Sequence, residues 1–370
     1  MDAFTPQQTI ELVSRIGTKK AHMRLDKLFF NSVATGPFVG FGGAWLLSTN
    51  AAPWYQENAP GLIRTLGGFV FPVALIMIVL SGSDLFTSNI MFMTTALLHR
   101  RITLKDLAIN WFVSFFGNLA GTLFFVTVIT GYGGVFEESQ AYTDAAIRLA
   151  TQKAVNPGWH QIFLRAIGAN WLVCFAVFTS ISSREIASKI LAIWWPCACF
   201  VGLALDHVVA NMFFIPTGIW AGAPISVSYY IWKSMIPTAL GNIVGGGFFI
   251  ATAYWYLYLT GEVAVSLSFG NDPLDTAMEV GGPMRSARVD NEPRQVLESR
   301  DTSSGKTSGD SGAATPVADT VNGNADVKSM ATGGSGSGLQ SGLGQELSDH
   351  SPYAKTYAER TKVDSDGEKV

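Results

Sequence analysis

GSDLFTSNIM, residues 82–91, lies between two stretches apolar enough for a bilayer, LGGFVFPVALIMIVL (66–80) and FMTTALL (92–98). An aspartate, a threonine, a serine and an asparagine fall within six residues of it. Irregular polar backbone is tolerated at that depth only where it is buried in protein or lines a cavity. The arrangement recurs. DLFTSN (84–89) and DHVVAN (206–211) each place an asparagine five residues after an aspartate. The apolar segments that follow carry GNLAGTLFF (117–125) and GNIVGGGFF (241–249), both fitting G-N-x-x-G-x-x-F-F. The offsets, 122 residues (84 to 206) and 124 residues (117 to 241), are nearly constant and indicate an internal duplication.

Composition sets the class. Of 370 residues, 48% are hydrophobic and 14% charged, against about a quarter charged in a soluble domain. Apolar segments of bilayer length run at about 28–48, 66–98, 107–131, 161–182, 188–215 and 235–260. The second and fifth contain the polar interruptions. Three spans per repeat is an odd number, so the second repeat must enter the membrane upside down. The expected fold is an all-α integral membrane protein of six transmembrane helices, an inverted 3+3 repeat with spans 2 and 5 interrupted. In that architecture paired broken helices meet near the midplane and place half-helix ends at a transport site. The G-x-x-x-G spacing within each GN motif reads as close helix packing.

Connecting segments alternate in charge. KKAHMRLDK (19–27), HRRITLK (99–105) and SSREIASK (182–189) are basic, whereas 49–61 and 216–232 contain no Lys or Arg and 132–160 only Arg148 and Lys153. The positive-inside rule then puts both termini in the cytoplasm, with the plasma membrane as the expected location. TPQQ (5–8) reads as a helix start, with Thr5 as cap, Pro6 at the first helical position and Gln8 closing a capping box. Residues 1–27 are thus an amphipathic cytoplasmic segment leading to a six-span transport domain at 28–261. The remainder, 262–370, is Ser/Gly/Thr-rich, with 10 basic and 16 acidic residues from Val263 onward, and reads as a disordered acidic tail.

No basic stripe suggests nucleic acid. Cys174, Cys197 and Cys199 sit in apolar runs without metal-ligand spacing, so no metal or cofactor is expected and they read as small buried hydrophobes. Of five histidines, His22, His99, His160 and His350 lie in polar flanks or the tail and read as solvated. His207 alone sits inside a span, at the second break. A buried histidine is ordinarily a hydrogen-bonded core residue, but ionisable groups in membrane spans are costly and mark pathways. Its proton also comes and goes near neutral pH. Half-helix amino termini attract anions, and surrounding apolar rings reject hydrated ions. Together these suit a small monovalent anion of a weak acid, with Thr87 in the first break as a second hydrogen-bonding group. Asp84 and Asp206 read first as helix-end caps, Asp206 with the stronger claim to the substrate pathway through its histidine neighbour.

GSDLFTSN (82–89), RRITLKDLAINW (100–111), FGNLAG (116–121), NWLVCFAVF (170–178), LDHVVANMFFIPTG (205–218) and IPTALGNIVGGG (236–247) together resemble the formate/nitrite transporter family, over roughly residues 20–261. The resemblance implies an aquaporin-like six-helix fold in a homopentamer, one pore per protomer, surrounded by membrane lipid. It implies that His207 is the central pore histidine, Thr87 the loop threonine, Asn170 the conduction-path asparagine and Lys153 the lysine before the fourth span. Phe71, Leu75 and Phe200 fall on the apolar constrictions, with Leu85 in the interrupting loop. The chain departs from the usual bacterial pattern at Asp206, commonly glutamate, and at Ser234, commonly asparagine. The long acidic tail is absent from compact bacterial members and implies a fungal-type protein whose task is nitrite uptake, proton-linked or pH-gated through the histidine.

Other classes fit less well. A general formate or weak-acid anion channel is the nearest alternative. A neutral-solute channel of the aquaporin type lacks its paired Asn-Pro-Ala motifs here, and an ammonium channel lacks a second intramembrane histidine. A membrane enzyme would need a cluster of catalytic or metal-binding groups that the spans do not hold.

Overall fold

The computed structural model describes residues 3–260, so the expected tail and His350 lie outside the described residues. Every regular element among them is helical. In order these are α1 (Pro6–Ala21), α2 (Leu25–Asn50), α3 (Pro53–Asn58), α4 (Pro60–Val70), α5 (Val73–Ser81), α6 (Phe86–Leu98) and α7 (Leu104–Phe124). They continue with α8 (Gln140–Ala154), α9 (Trp159–Ser182), α10 (Ile186–Gly202), α11 (Val208–Trp220), α12 (Val227–Tyr230), α13 (Ile236–Val244) and α14 (Ala253–Leu259). π-Helical turns extend α7 to Tyr132 and join α12, α13 and α14. Four stretches are long and apolar enough to cross a membrane: Pro60–Ser81, Leu104–Tyr132, Trp159–Ser182 and Val227–Leu259. Phe86–Leu98, Ile186–Gly202 and Val208–Trp220 are apolar but shorter.

Two segments read as connections are partly helical. α3 occupies much of 49–61, and α8 occupies the middle of 132–160. Ser139 starts α8 by accepting the Ala141 amide, and the helix rests an alanine face (Ala146, Ala150, Ala154) in the core. α1 starts as its sequence requires: Thr5 accepts the Gln8 amide while the Gln8 side chain takes the Thr5 amide. α1 packs on α6, and α8 packs on α11.

α2 packs closely along α7, and α9 along α13. The GN-motif glycines allow this. A Cβ on Gly121 would run into the Val33 carbonyl, and one on Gly245 into the Ile167 carbonyl. Between α5 and α6, and again between α10 and α11, four or five residues leave helical geometry. Each break contains a left-handed residue two positions before its aspartate, Gly82 (φ 73°) and Ala204 (φ 55°). Glycine adopts that conformation freely, whereas for alanine it costs about 1 kcal/mol.

An ionic cluster fastens α1 to the end of α6. Glu11 receives Arg101 at 2.7 Å and Arg15 at 2.6 Å, with His99 3.6 Å away. His99, read from sequence as solvated, is instead half-buried and bonded to the Ser14 hydroxyl. Burial opposes ionisation of Glu11, but its hydrogen bonds from Arg101 and Arg15 outweigh that and hold its carboxyl below the ordinary range. Burial first, and then the Arg101 charge, lowers His99. A lowered histidine binds protons more readily unfolded, so its contribution is lost as pH falls below about 6.5. A lowered carboxylate stabilises above about 4.3 and is lost as pH falls through its folded value. Thermal unfolding in detergent is therefore expected to be level above pH ~7 and to decline in two stages below it. An unchanged melting temperature from pH 8 to 4 would contradict the cluster's role.

Candidate functional site

Each break is clamped by an asparagine from a later helix, Asn118 of α7 and Asn242 of α13. The Asn118 amide donates to the Ser32 and Asp84 carbonyls, both at 2.8 Å, and accepts the Phe86 amide at 2.8 Å. Asn242 donates to the Ala166 and Asp206 carbonyls at 2.8 and 3.1 Å and accepts the Val208 amide at 2.9 Å. These are the same three bonds at duplicated positions. Both side chains are fully buried, so no water substitutes for them. The sequence reading took these motifs as glycine packing alone. The asparagine between the glycines carries as much of the structure.

The aspartates do not cap α6 and α11, and that expectation is corrected. The Asp84 carboxylate pairs with Lys20 and also takes Asn31 (2.6 Å) and Asn89 (3.2 Å). The Asp206 carboxylate pairs with Lys153 at 3.1 Å and takes Asn211 at 3.4 Å. Lysine reaches each aspartate from the helix preceding the repeat's first long helix, α1 in one case and α8 in the other. An unpaired buried carboxylate would cost several kcal/mol. Lys20 was missed as a site residue, yet its signal is present: TKKA (18–21) and TQKA (151–154) share T-x-K-A in the two halves. Lys153 also donates to the carbonyls of Ala204 (3.0 Å) and Leu205 (2.7 Å). The left-handed turn at Ala204 sits where that carbonyl is used.

The cap of α11 is His207 itself. Its Nδ1 accepts the Ala210 amide at 3.1 Å, and its Nε2 lies 2.8 Å from the Thr87 hydroxyl. Because Nδ1 accepts, the neutral ring carries its hydrogen on Nε2 and donates it to Thr87. The two breaks, 120 residues apart in sequence, therefore meet at this pair. Asn170 holds the Thr87 end, donating to the carbonyls of Thr87 (3.1 Å) and Asn242 (2.8 Å). Cys174 also reaches the Thr87 carbonyl, at 3.4 Å.

Two cavities reach His207 from opposite directions. One, of about 850 Å³ including its open mouth, is lined on the side of α3 and α8 by Arg64, Arg148 and Lys153. The other is small and apolar and is lined by Leu75, Leu85, Val39 and Val173. Phe71, Phe200, His207 and Ala210 line both. The Phe71 and Phe200 rings meet edge to face with centroids 5.8 Å apart, and Phe200 lies 5.9 Å from the imidazole. A hydrated ion would shed water between these rings, whereas a small anion that finds N–H and O–H donors just beyond them is compensated. Thus Phe71 and Phe200 line both cavities with His207, Leu75 and Leu85 line the apolar one, and Thr87 and Asn170 line neither but connect to His207 through the Thr87 hydroxyl and carbonyl. Lys153 borders the wider cavity, and Asp206 lies behind that lysine, outside both cavities.

A family model described as formate/nitrite transporter matches residues 7–256. A probable formate transporter of Methanothermobacter thermautotrophicus is 36% identical over 271 residues, covering 69% of this chain and 97% of that protein. Among solved structures, an FNT family ion channel superposes with a TM-score of 0.62 at 25% identity, covering 68% of this chain and 98% of that one. A pentameric formate channel with formate bound gives 0.57 at 28% identity, covering 64% and 98%.

Proposed function

The chain belongs to the formate/nitrite transporter family, and from that premise we propose that it carries nitrite, with formate as the close alternative, through a pore centred on His207 and Thr87. It is an integral membrane transport protein and not an enzyme. The observation that carries the proposal is the Thr87–His207 contact at 2.8 Å, with both groups buried and His207 lining both cavities. Both anions are bent and monovalent, with two oxygens to accept hydrogen bonds. An arriving oxygen replaces Thr87 as acceptor of the Nε2 hydrogen, and the Thr87 hydroxyl is freed to donate to it.

The proposal includes six membrane spans as an inverted 3+3 repeat. α4–α5 with α6, and α10 with α11, are the interrupted pairs. Matched Asn118 and Asn242 clamps, matched Lys20–Asp84 and Lys153–Asp206 pairs, and matched left-handed residues support it. It also includes a homopentamer in the plasma membrane with both termini cytoplasmic. The bound formate and pentameric state of a similar channel support the anion and the assembly. Asn170 positions Thr87, Lys153 and Asp206 hold the second break, and Phe71, Leu75, Leu85 and Phe200 form the constrictions.

Proton linkage has a structural handle. Nδ1 cannot hold a proton and accept the Ala210 amide together, so charging the ring releases the first turn of α11. The substrate is tested by uptake of labelled nitrite and labelled formate into liposomes holding the full chain, each competed with the other. Saturable, mutually competitive uptake with tighter nitrite is expected. Uptake of formate that excess nitrite leaves unchanged would overturn nitrite as substrate.

A further inference from the structure

We infer that Arg64 and Arg148 capture the anion at the mouth on the α3 and α8 side, and so set apparent affinity for entry from that face. The inference rests on the transport function proposed above and goes beyond it by assigning the step before the constriction. Both arginines line the wide cavity that ends at His207. The charge of Lys153, the third cation there, is already met by Asp206 at 3.1 Å. Arg148 donates only to a neutral carbonyl, that of Asn50, at 3.2 Å. Arg64 is exposed and makes no ion pair with any described residue. No carboxylate among the described residues lines the cavity. Among the described residues, the positive charge of this mouth is therefore carried by two guanidinium groups that form no ion pair.

Two further observations point to use. Stretch 132–160 contains just two cations, Arg148 and Lys153, and both border this cavity. The apolar cavity on the other side of His207 is lined by no lysine or arginine. A cleft lined by one sign of charge concentrates counter-ions and speeds their arrival. Guanidinium also offers paired N–H donors that match the two oxygens of a bent carboxylate-like anion. The ligand class is thus a small monovalent oxyanion.

The test is the KM of nitrite and formate entry from this face, in oriented vesicles holding the full chain, at about 10 mM and again at about 500 mM ionic strength. Arg64→Gln is expected to raise KM roughly threefold at low salt, and the Arg64→Gln/Arg148→Gln pair about tenfold, with maximal rate unchanged. High salt should erase both differences. Arg148→Lys keeps the charge but not the paired N–H donors, so its low-salt KM should fall between those of wild type and Arg148→Gln. Lys105→Gln, which removes an exposed cation at the opposite end, should leave KM unchanged. Wild-type flux with a KM that neither glutamine variant alters at low salt would overturn the capture role alone. Wild-type vesicles that pass neither anion would overturn the transport reading and this inference with it.

Discussion

Asn118→Ala and Asn242→Ala are each expected to lower the melting temperature of the detergent-solubilised protein by roughly 10 °C, or to prevent assembly altogether. Either change leaves one buried amide, that of Phe86 or Val208, without its acceptor and takes a side-chain donor from each of two carbonyls, of which the Asp84 carbonyl keeps the Thr35 hydroxyl. Each buried group left without a partner costs about 1–3 kcal/mol, so the loss is several kcal/mol. Asn242→Asp separates donor from acceptor function. It keeps an acceptor for the Val208 amide but cannot donate to the Asp206 or Ala166 carbonyls, so it should fare no better than alanine. Melting within about 2 °C of wild type for both alanine variants would show that the breaks hold themselves.

His207→Asn is the informative change at the pore. Asparagine is among the best helix caps, so its side-chain oxygen can take over the Ala210 amide and α11 can still start where it does. What disappears is the ring donor facing Thr87 and the imidazole to which the proton role is proposed. Transport is expected to fall about tenfold or more, with the residual flux indifferent to pH between about 5 and 8. Unchanged melting with lost pH dependence would assign the proton role to the ring. Unchanged rate and unchanged pH profile would remove His207 from the mechanism.

The chain states its breaks openly because polar residues inside apolar runs have few explanations. That contrast, together with the recurrence of D-x-x-x-x-N and G-N-x-x-G, singled out the two breaks and His207 without coordinates. The cavity-lining Phe71, Leu75 and Phe200 came instead from family resemblance, since a phenylalanine on a cavity wall and one facing lipid look alike in sequence. The clamp role of Asn118 and Asn242 was hidden behind their glycines. Its meaning lies in three backbone groups up to 86 residues away, which no local pattern reports. Lys20 was hidden differently. It sits in a cluster that serves equally well as a cytoplasmic charge signal, and only the T-x-K-A echo at 151–154 distinguishes it. α8 was missed because its apolar face is made of alanines, which hydropathy over a bilayer-length window does not register.

The central claim is that a small weak-acid anion crosses at the Thr87–His207 contact together with a proton. Liposomes holding the full chain and a pH dye in the lumen measure this directly when nitrite is added outside, against empty liposomes as background. Luminal acidification that follows nitrite entry one for one, above background and with glycerol excluded, is the predicted result. Nitrite entry that charges the membrane without moving luminal pH, or passage of glycerol through the same protein, would contradict it.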